Sequence, residues 1–383
     1  MRRRARFLIA IVAGLAVFTA SRGAAQMGGP IKIGQLLPMT GNFASSLKMQ
    51  RQGAELAMEE VNKAGGIKGR MLQLVREDDK STDPGAVQAF QKLIEDKEMV
   101  AVIGSIRSTQ ILAMLPTINE AQIPVMIGGT NFSLTHQGSR WVFRHRPHDG
   151  FSAQVMVKFV VEELKKNKIA IVHTSDGFGN GGRDEVIKGL KARQMEPVVV
   201  KAINTGDKDY TAVVTAVKNS GADALVTYFT STSDLAIFAT QAKQQGLLPQ
   251  MTWIGSPSIT TTDAAKLAGD ALVGTYGIGD YDPTGNPAAQ AFQVAYKTKF
   301  NEDTDLFSAW TYDAVHNLAT AMTRAPDLKP DSIRAAILAI KKRMGAENEY
   351  NFDERGDGLD HYYILRNEGG TWKVLKAVHV ERY

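Results

Sequence analysis

The sequence predicts an α/β protein built as two Rossmann-like lobes, each a parallel sheet flanked by helices. Short apolar runs of strand length alternate with amphipathic runs of helix length. The alternation breaks off after Ile127 and restarts at Lys168. At 383 residues the chain is also long enough for two domains.

In the first unit, strands are expected at 31–36, 71–75, 100–103 and 125–127. A helix over 47–64 follows from Ala54, Met58 and Val61 on one face, and Gly65-Gly66 ends it. Asp83-Pro84 opens the next helix with a capping acid and a first-turn proline, and Val87, Phe90 and Ile94 share its apolar face. A third helix, over 111–121, separates the last two strands. The second unit repeats the grammar, with strands at 169–173, 198–200, 224–228 and 252–254. Helices are expected around Val186–Leu190 and over 210–217 and 235–245. The tail offers helices at 287–300, 307–323 and 332–342 and strands at 362–365 and 374–378, which are too few for a third domain.

Residues 1–25 read as a secretory signal. Arg2, Arg3, Arg4 and Arg6 precede an apolar stretch over 7–20, and Gly23, Ala24 and Ala25 close it before Gln26. The stretch falls short of the about 20 apolar residues that a membrane span needs. The net charge of +5, from 45 Lys and Arg against 40 Asp and Glu, resides in that segment, whose five arginines face no acid. The remainder of the chain carries 40 of each sign, so a nucleic-acid partner has no electrostatic footprint. Cysteine is absent, which excludes disulfides and a lipidated cysteine. A protein free in the periplasm is expected.

Gly177, Gly179 and Gly182 have dinucleotide-fingerprint spacing. His173 to Asp176 separate them from the strand, however, and the following strand ends at Lys201 without the acid that would hold a ribose. Tight turning in a loop at a strand's carboxyl end is the expected role. His136, His145, His148 and Asp149 supply no closed tetrahedral set, so a solvated basic segment and no metal are expected. Glu77, Asp78 and Asp79 read as a solvated turn. A nucleophile elbow, a phosphate loop and a metalloprotease helix are all missing from the sequence, so neither catalysis nor a cofactor is expected.

Two loops suit anion capture. Residues 104–110 follow a strand and offer Ser105, Ser108 and Thr109 before a helix. Gly128-Gly129-Thr130-Asn131 follows the next strand. Glycine lets backbone N–H groups approach a ligand, hydroxyls add donors, and a helix start adds partial positive charge.

At this point the chain resembles the Leu/Ile/Val-binding proteins, type I periplasmic receptors of ABC importers. The resemblance rests on Ile31-Lys32-Ile33-Gly34 with Thr40-Gly41, on Gly65-Gly66-Ile67-Lys68-Gly69, and on Asp78-Asp79 with Asp83-Pro84. Val102-Ile103-Gly104, Gly177-Phe178-Gly179, Asp207-Lys208-Asp209-Tyr210 and Trp310-Thr311-Tyr312-Asp313-Ala314 extend it over nearly the whole chain after the signal. It implies three chain crossings between the lobes, near His145, Ile278 and Asn351. One lobe is then expected over 26–146 and 278–351, the other over 147–277 and 352–383. It also implies ligand capture in the cleft by hinge closure, transfer to permease subunits in the inner membrane, and no enzyme activity. Ser108, Gly128, Gly129 and Thr130 fall where the family holds a ligand carboxylate, and Phe178 where an aromatic reaches in from the second lobe. Ser46 and Ser231 stand where aromatics are usual.

One departure bears on the ligand. Amino-acid-binding members hold the α-ammonium with an acid after a strand ending in glycine, and here that stretch reads Gly255-Ser256-Pro257-Ser258, with Pro257 in the acid's place. A buried ammonium without a counter-charge costs several kcal/mol. The expected ligand is therefore a small carboxylate lacking an α-amino group, such as an aromatic acid, walled by Phe43, Phe178, Tyr228 and Trp310. A leucine-like amino acid remains the alternative if Asp176, Asp234 or Asp280 supplies the charge. A sensor for signalling or chemotaxis would share the same fold.

Overall fold

A computed structural model describes residues 28–248 and 250–382. The expected signal segment lies outside the described residues. The first sheet consists of β1 (Ile31–Leu37), β2 (Leu72–Asp78), β3 (Met99–Ile103), β4 (Val125–Ile127) and β5 (Val142–Arg144). Their order is β2-β1-β3-β4-β5, all parallel. Strands covered by helices on both faces read as continuous apolar runs, and β3 and β4 do so.

The second sheet contains β6 (Ile169–Thr174), β7 (Val199–Ile203), β8 (Ala224–Tyr228), β9 (Thr252–Gly255) and β10 (Tyr276–Gly279). The short pair β11 (Arg343–Met344) and β12 (Glu349–Tyr350) stands apart. The chain then returns to add β13 (His361–Glu368) and β14 (Thr371–His379), giving the order β14-β13-β10-β9-β8-β6-β7. The sheet is mixed rather than purely parallel, because β13 runs antiparallel to β10 and hairpins into β14. Alternation along one strand does not reveal its partner's direction.

The tail divides between the lobes. Helix Leu306–Arg324 packs its buried Trp310, Ala314 and Leu318 into the first core, with Ile333 and Ile337 of helix Pro330–Leu338 beside them. Ile278 lies on β10 in the second lobe's core, whereas Phe352 and Leu359 pack in the first. By these contacts the chain passes between the cores after Gly279 and again between Leu359 and His361. Which core a residue joins depends on long-range contacts that periodicity does not carry.

The acids after 75 are not a solvated turn. Strand β2 continues through Glu77 and Asp78, and Asp79 is buried with one carboxylate oxygen accepting from Ser81 N. Among the described residues, no helix is long and apolar enough to cross a membrane.

Candidate functional site

The carboxyl ends of both sheets face one cleft, as expected of open parallel sheets. Helix Ser108–Ala121 starts there from the first lobe, and helices Gly177–Lys191 and Thr232–Gln244 start there from the second. The last two are capped by the side chains of Asp176 and Ser231. The first starts at Arg107 without a side-chain cap, so its first-turn N–H groups remain open to a ligand.

A cavity of about 70 Å³ lies in the cleft. That is about half the ~150 Å³ of an engineered apolar cavity that admits benzene, so a ligand of that size requires the lobes or the lining side chains to shift from where they stand. Six of the expected residues line it: Phe43, Ser46, Ser108, Thr130, Phe178 and Pro257. Ser108 Oγ accepts from Asn131 N at 3.2 Å, tying the loop after β3 to the loop after β4. Pro257 opens a tight 3₁₀ turn whose Ser258 also faces the cavity.

The other expected residues support the cavity from behind. Gly128 lies against the Trp310 indole, where a Cβ would stand 2.8 Å from the ring, so Trp310 is a floor beneath the loop rather than a wall. Gly129 packs on Ile111 and presents its carbonyl to Arg144 at 2.9 Å. Tyr228 is buried in the second core with its hydroxyl bonded to Ser152, and its ring meets Phe178 edge-on at 5.4 Å. Ser231 caps its helix by accepting from Asp234 N. Both are committed to local structure, which removes them from the lining.

Sequence reasoning missed Arg107, Arg146, Phe229, Thr230, Thr232 and Phe307, all of which line the cavity. Phe229 and Thr230 follow β8 at its carboxyl end, a position that could have flagged them. Arg107 stacks over Phe43 at 4.3 Å and donates to Ser81 O at 2.8 Å. Burial lowers its pKa, against the pull of Asp83, Asp176 and Asp79. Arg146 is buried and pairs through Nε with Asp280 at 2.5 Å. Burial opposes its charge, but the attraction and hydrogen bond of Asp280 outweigh that and raise its pKa.

The lining thus carries two arginines and, among the described residues, no aspartate or glutamate. None of the three acids considered as ammonium partners lines the cavity, and each already has a partner, although Asp176 Oδ2 and Asp280 Oδ1 accept no hydrogen bond. Asp176 accepts from Gly179 N at 2.9 Å, Asp234 from Gly206 N at 3.1 Å, and Asp280 from Arg146.

The loop carrying Thr130 is anchored from the hinge. Arg144 donates to the carbonyls of Gly129 and Asn131 at 2.9 and 2.8 Å, and pairs with Asp357, just before the third crossing, at 2.7 Å. Asp357 also accepts from Thr135 and His136. Burial would raise its pKa, but Arg144 and His136 outweigh it and hold the carboxyl well below the usual carboxylate range.

The histidine segment is buried rather than solvated, because it forms the first crossing. Burial takes His145 and His148 down to about 3. His136, His148 and Asp357 do converge, with one ligand atom from each lying within 4.8 Å of the others. A metal fits poorly there. Nδ1 of His136 receives Arg355 Nη1 and Nδ1 of His148 receives Phe151 N, which leaves the proton on each Nε2, the atom a metal would need.

Asp149, fully buried beside Thr130, has its carboxyl lifted to about 7 by burial, against the Thr130 hydroxyl, Arg144 and Arg146. The folded state then holds a proton that the unfolded chain releases above about pH 4. This group therefore costs stability progressively from about pH 4 to about pH 7. Asp149→Asn is expected to be the more stable protein at pH 8 by on the order of 2 kcal/mol, with the gap closing toward pH 4. Urea unfolding across that range would show parallel curves if the assignment were wrong.

Comparison with known proteins agrees with this architecture. A family profile described as periplasmic binding protein matches residues 30–370. The leucine-, isoleucine-, valine-, threonine- and alanine-binding protein of Pseudomonas aeruginosa is 29% identical over 329 residues, covering 85% of this chain and 87% of its own. A leucine binding protein of Thermotoga maritima superposes with a TM-score of 0.84 at 24% identity, over 91% of this chain and 99% of its own. A solute binding protein of R. palustris in complex with benzoate gives 0.82 at 21% identity, over 92% and 98%.

Proposed function

Because the chain belongs to the periplasmic binding protein family, we propose that it is the periplasmic solute-binding component of an ABC importer and that it captures a small carboxylate without an α-amino group. An aromatic acid of benzoate size is the favoured class. The observation that carries this reading is the charge of the lining, which holds Arg107 and Arg146, lacks an acid among the described residues, and has Pro257 where an ammonium partner is expected. Each bound ammonium would meet two guanidinium groups in a low-dielectric cleft and lose its hydration without recompense.

Capture proceeds by hinge closure. The ligand carboxylate meets Ser108, Thr130, Arg146 and the open helix start on the first lobe. Phe178, Phe229 and Pro257 cover the ligand only when the second lobe swings in. Interactions made in the closed state alone shift the population toward it. The closed form is then recognised by permease subunits in the inner membrane.

A second reading, uptake of a leucine-like amino acid, is favoured by the names of the relatives. Calorimetry with leucine, 4-methylpentanoate and benzoate separates the two, because the first pair differ only in the amino group. The acids are expected to bind at least tenfold more tightly than leucine. Preference for leucine over its deaminated counterpart would overturn the proposal.

A further inference from the structure

The glycines after β6 divide cleanly by what they touch. Gly179 packs on Thr174 and Gly182 on the Tyr228 ring, both within the second lobe. Gly177 and Gly181 instead face the first lobe. A Cβ on Gly177 would stand 3.0 Å from Leu112 and 3.2 Å from Thr109 Cα, and one on Gly181 would overlap the Asn131 amide. Neither residue has a positive φ, and glycine is a poor helix former, so backbone conformation does not explain them. Close approach does.

Both backbone polar groups of Gly177 are taken across the cleft. Its N–H donates to Thr109 Oγ1 at 3.1 Å, and its carbonyl accepts from Asn131 Nδ2 at 2.5 Å. Asn131 is preset for this, since its Oδ1 accepts from Ser133 N and Oγ at 2.9 and 2.7 Å, which aims the NH₂ group outward. Arg107 of the first lobe adds attraction to Asp176, the residue before Gly177.

We infer that Thr109 and Asn131 form a clamp on the Gly177–Gly181 face and that this clamp, whose residues do not line the ligand cavity, sets the closing equilibrium. The inference rests on hinge closure and not on the identity of the ligand. Thr109 and Asn131 are positioning residues. They determine what fraction of the protein is closed, and through it the apparent affinity for any ligand.

The test uses the full chain after the signal, whose lack of cysteine lets two spin labels be placed at Lys97→Cys and Lys266→Cys. Interlobe distances are measured by pulsed electron spin resonance with saturating benzoate and, separately, saturating leucine. Asn131→Asp keeps the acceptor for Ser133 but sets a carboxylate oxygen against the Gly177 carbonyl. Gly181→Ala improves the helix while blocking the approach. Gly189→Ala, on the same helix and in ordinary contact with Val157, is the control.

Wild type and Gly189→Ala are expected to populate a short distance. Asn131→Asp and Gly181→Ala should lower the closed-to-open ratio at least tenfold, and Gly181→Ala should not lower the melting temperature of the unliganded protein. Closure by leucine alone that is lost in both variants upholds the clamp while sinking the acid reading. An unchanged closed fraction in Asn131→Asp and Gly181→Ala, or a wild type without a short-distance population under either ligand, overturns the inference.

Discussion

Arg146→Met is expected to weaken benzoate binding at least a hundredfold, the largest effect of any single change in the cleft. A hydrogen bond to a charged group contributes about 1.5–3 kcal/mol, and here the guanidinium also supplies countercharge in a site sheltered from water. The single variant will also unfold more readily. Asp280 is wholly buried, and removing its partner leaves an uncompensated charge that costs about 3–5 kcal/mol. Arg146→Met with Asp280→Asn separates the two roles. The pair should recover most of the stability and none of the binding. Calorimetry and denaturant unfolding on the same three proteins check this, and recovery of binding in the double variant would assign Arg146 to structure alone.

Asp357→Asn is expected to cost about 3–5 kcal/mol of stability at pH 7, because Arg144 then keeps its charge in the interior with its partner neutralised. Binding should fall with it, since Arg144 holds the carbonyls of Gly129 and Asn131 in place behind Thr130. The pH dependence has a definite sign. The folded carboxyl titrates below its ordinary value of about 3.9, so its contribution is complete above about pH 4 and is lost as pH falls toward the folded pKa. The gap between wild type and variant should therefore be widest at neutral pH and narrow in acid. A gap independent of pH would point to lost packing instead.

How much of this was legible in the sequence depended on whether a feature was local. The two loops after β3 and β4 were legible because each follows a strand and precedes a helical turn, a pattern contained within a dozen residues. Ser46, Phe178 and Pro257 were reached through the resemblance and Phe43 as an expected aromatic wall, and all four line the cavity. Arg146 was not legible, because its burial depends on Asp280, distant in sequence by 134 positions. The same holds for the histidines of the first crossing. Read locally they are polar and solvated, but the segment just before the third crossing closes over them with Asp357. Tyr228 failed in the opposite direction. It was expected as an aromatic wall of the ligand, while its alternation along the strand sends it into the core against Gly182.

A crystal structure of the protein grown with 4-methylpentanoate tests the central claim most directly. The account predicts the carboxylate oxygens within hydrogen-bond distance of Ser108, Thr130 and Arg146, with the alkyl end against Phe178 and Pro257. A carboxylate turned toward the second lobe, or one held without any of those three first-lobe groups, would contradict it.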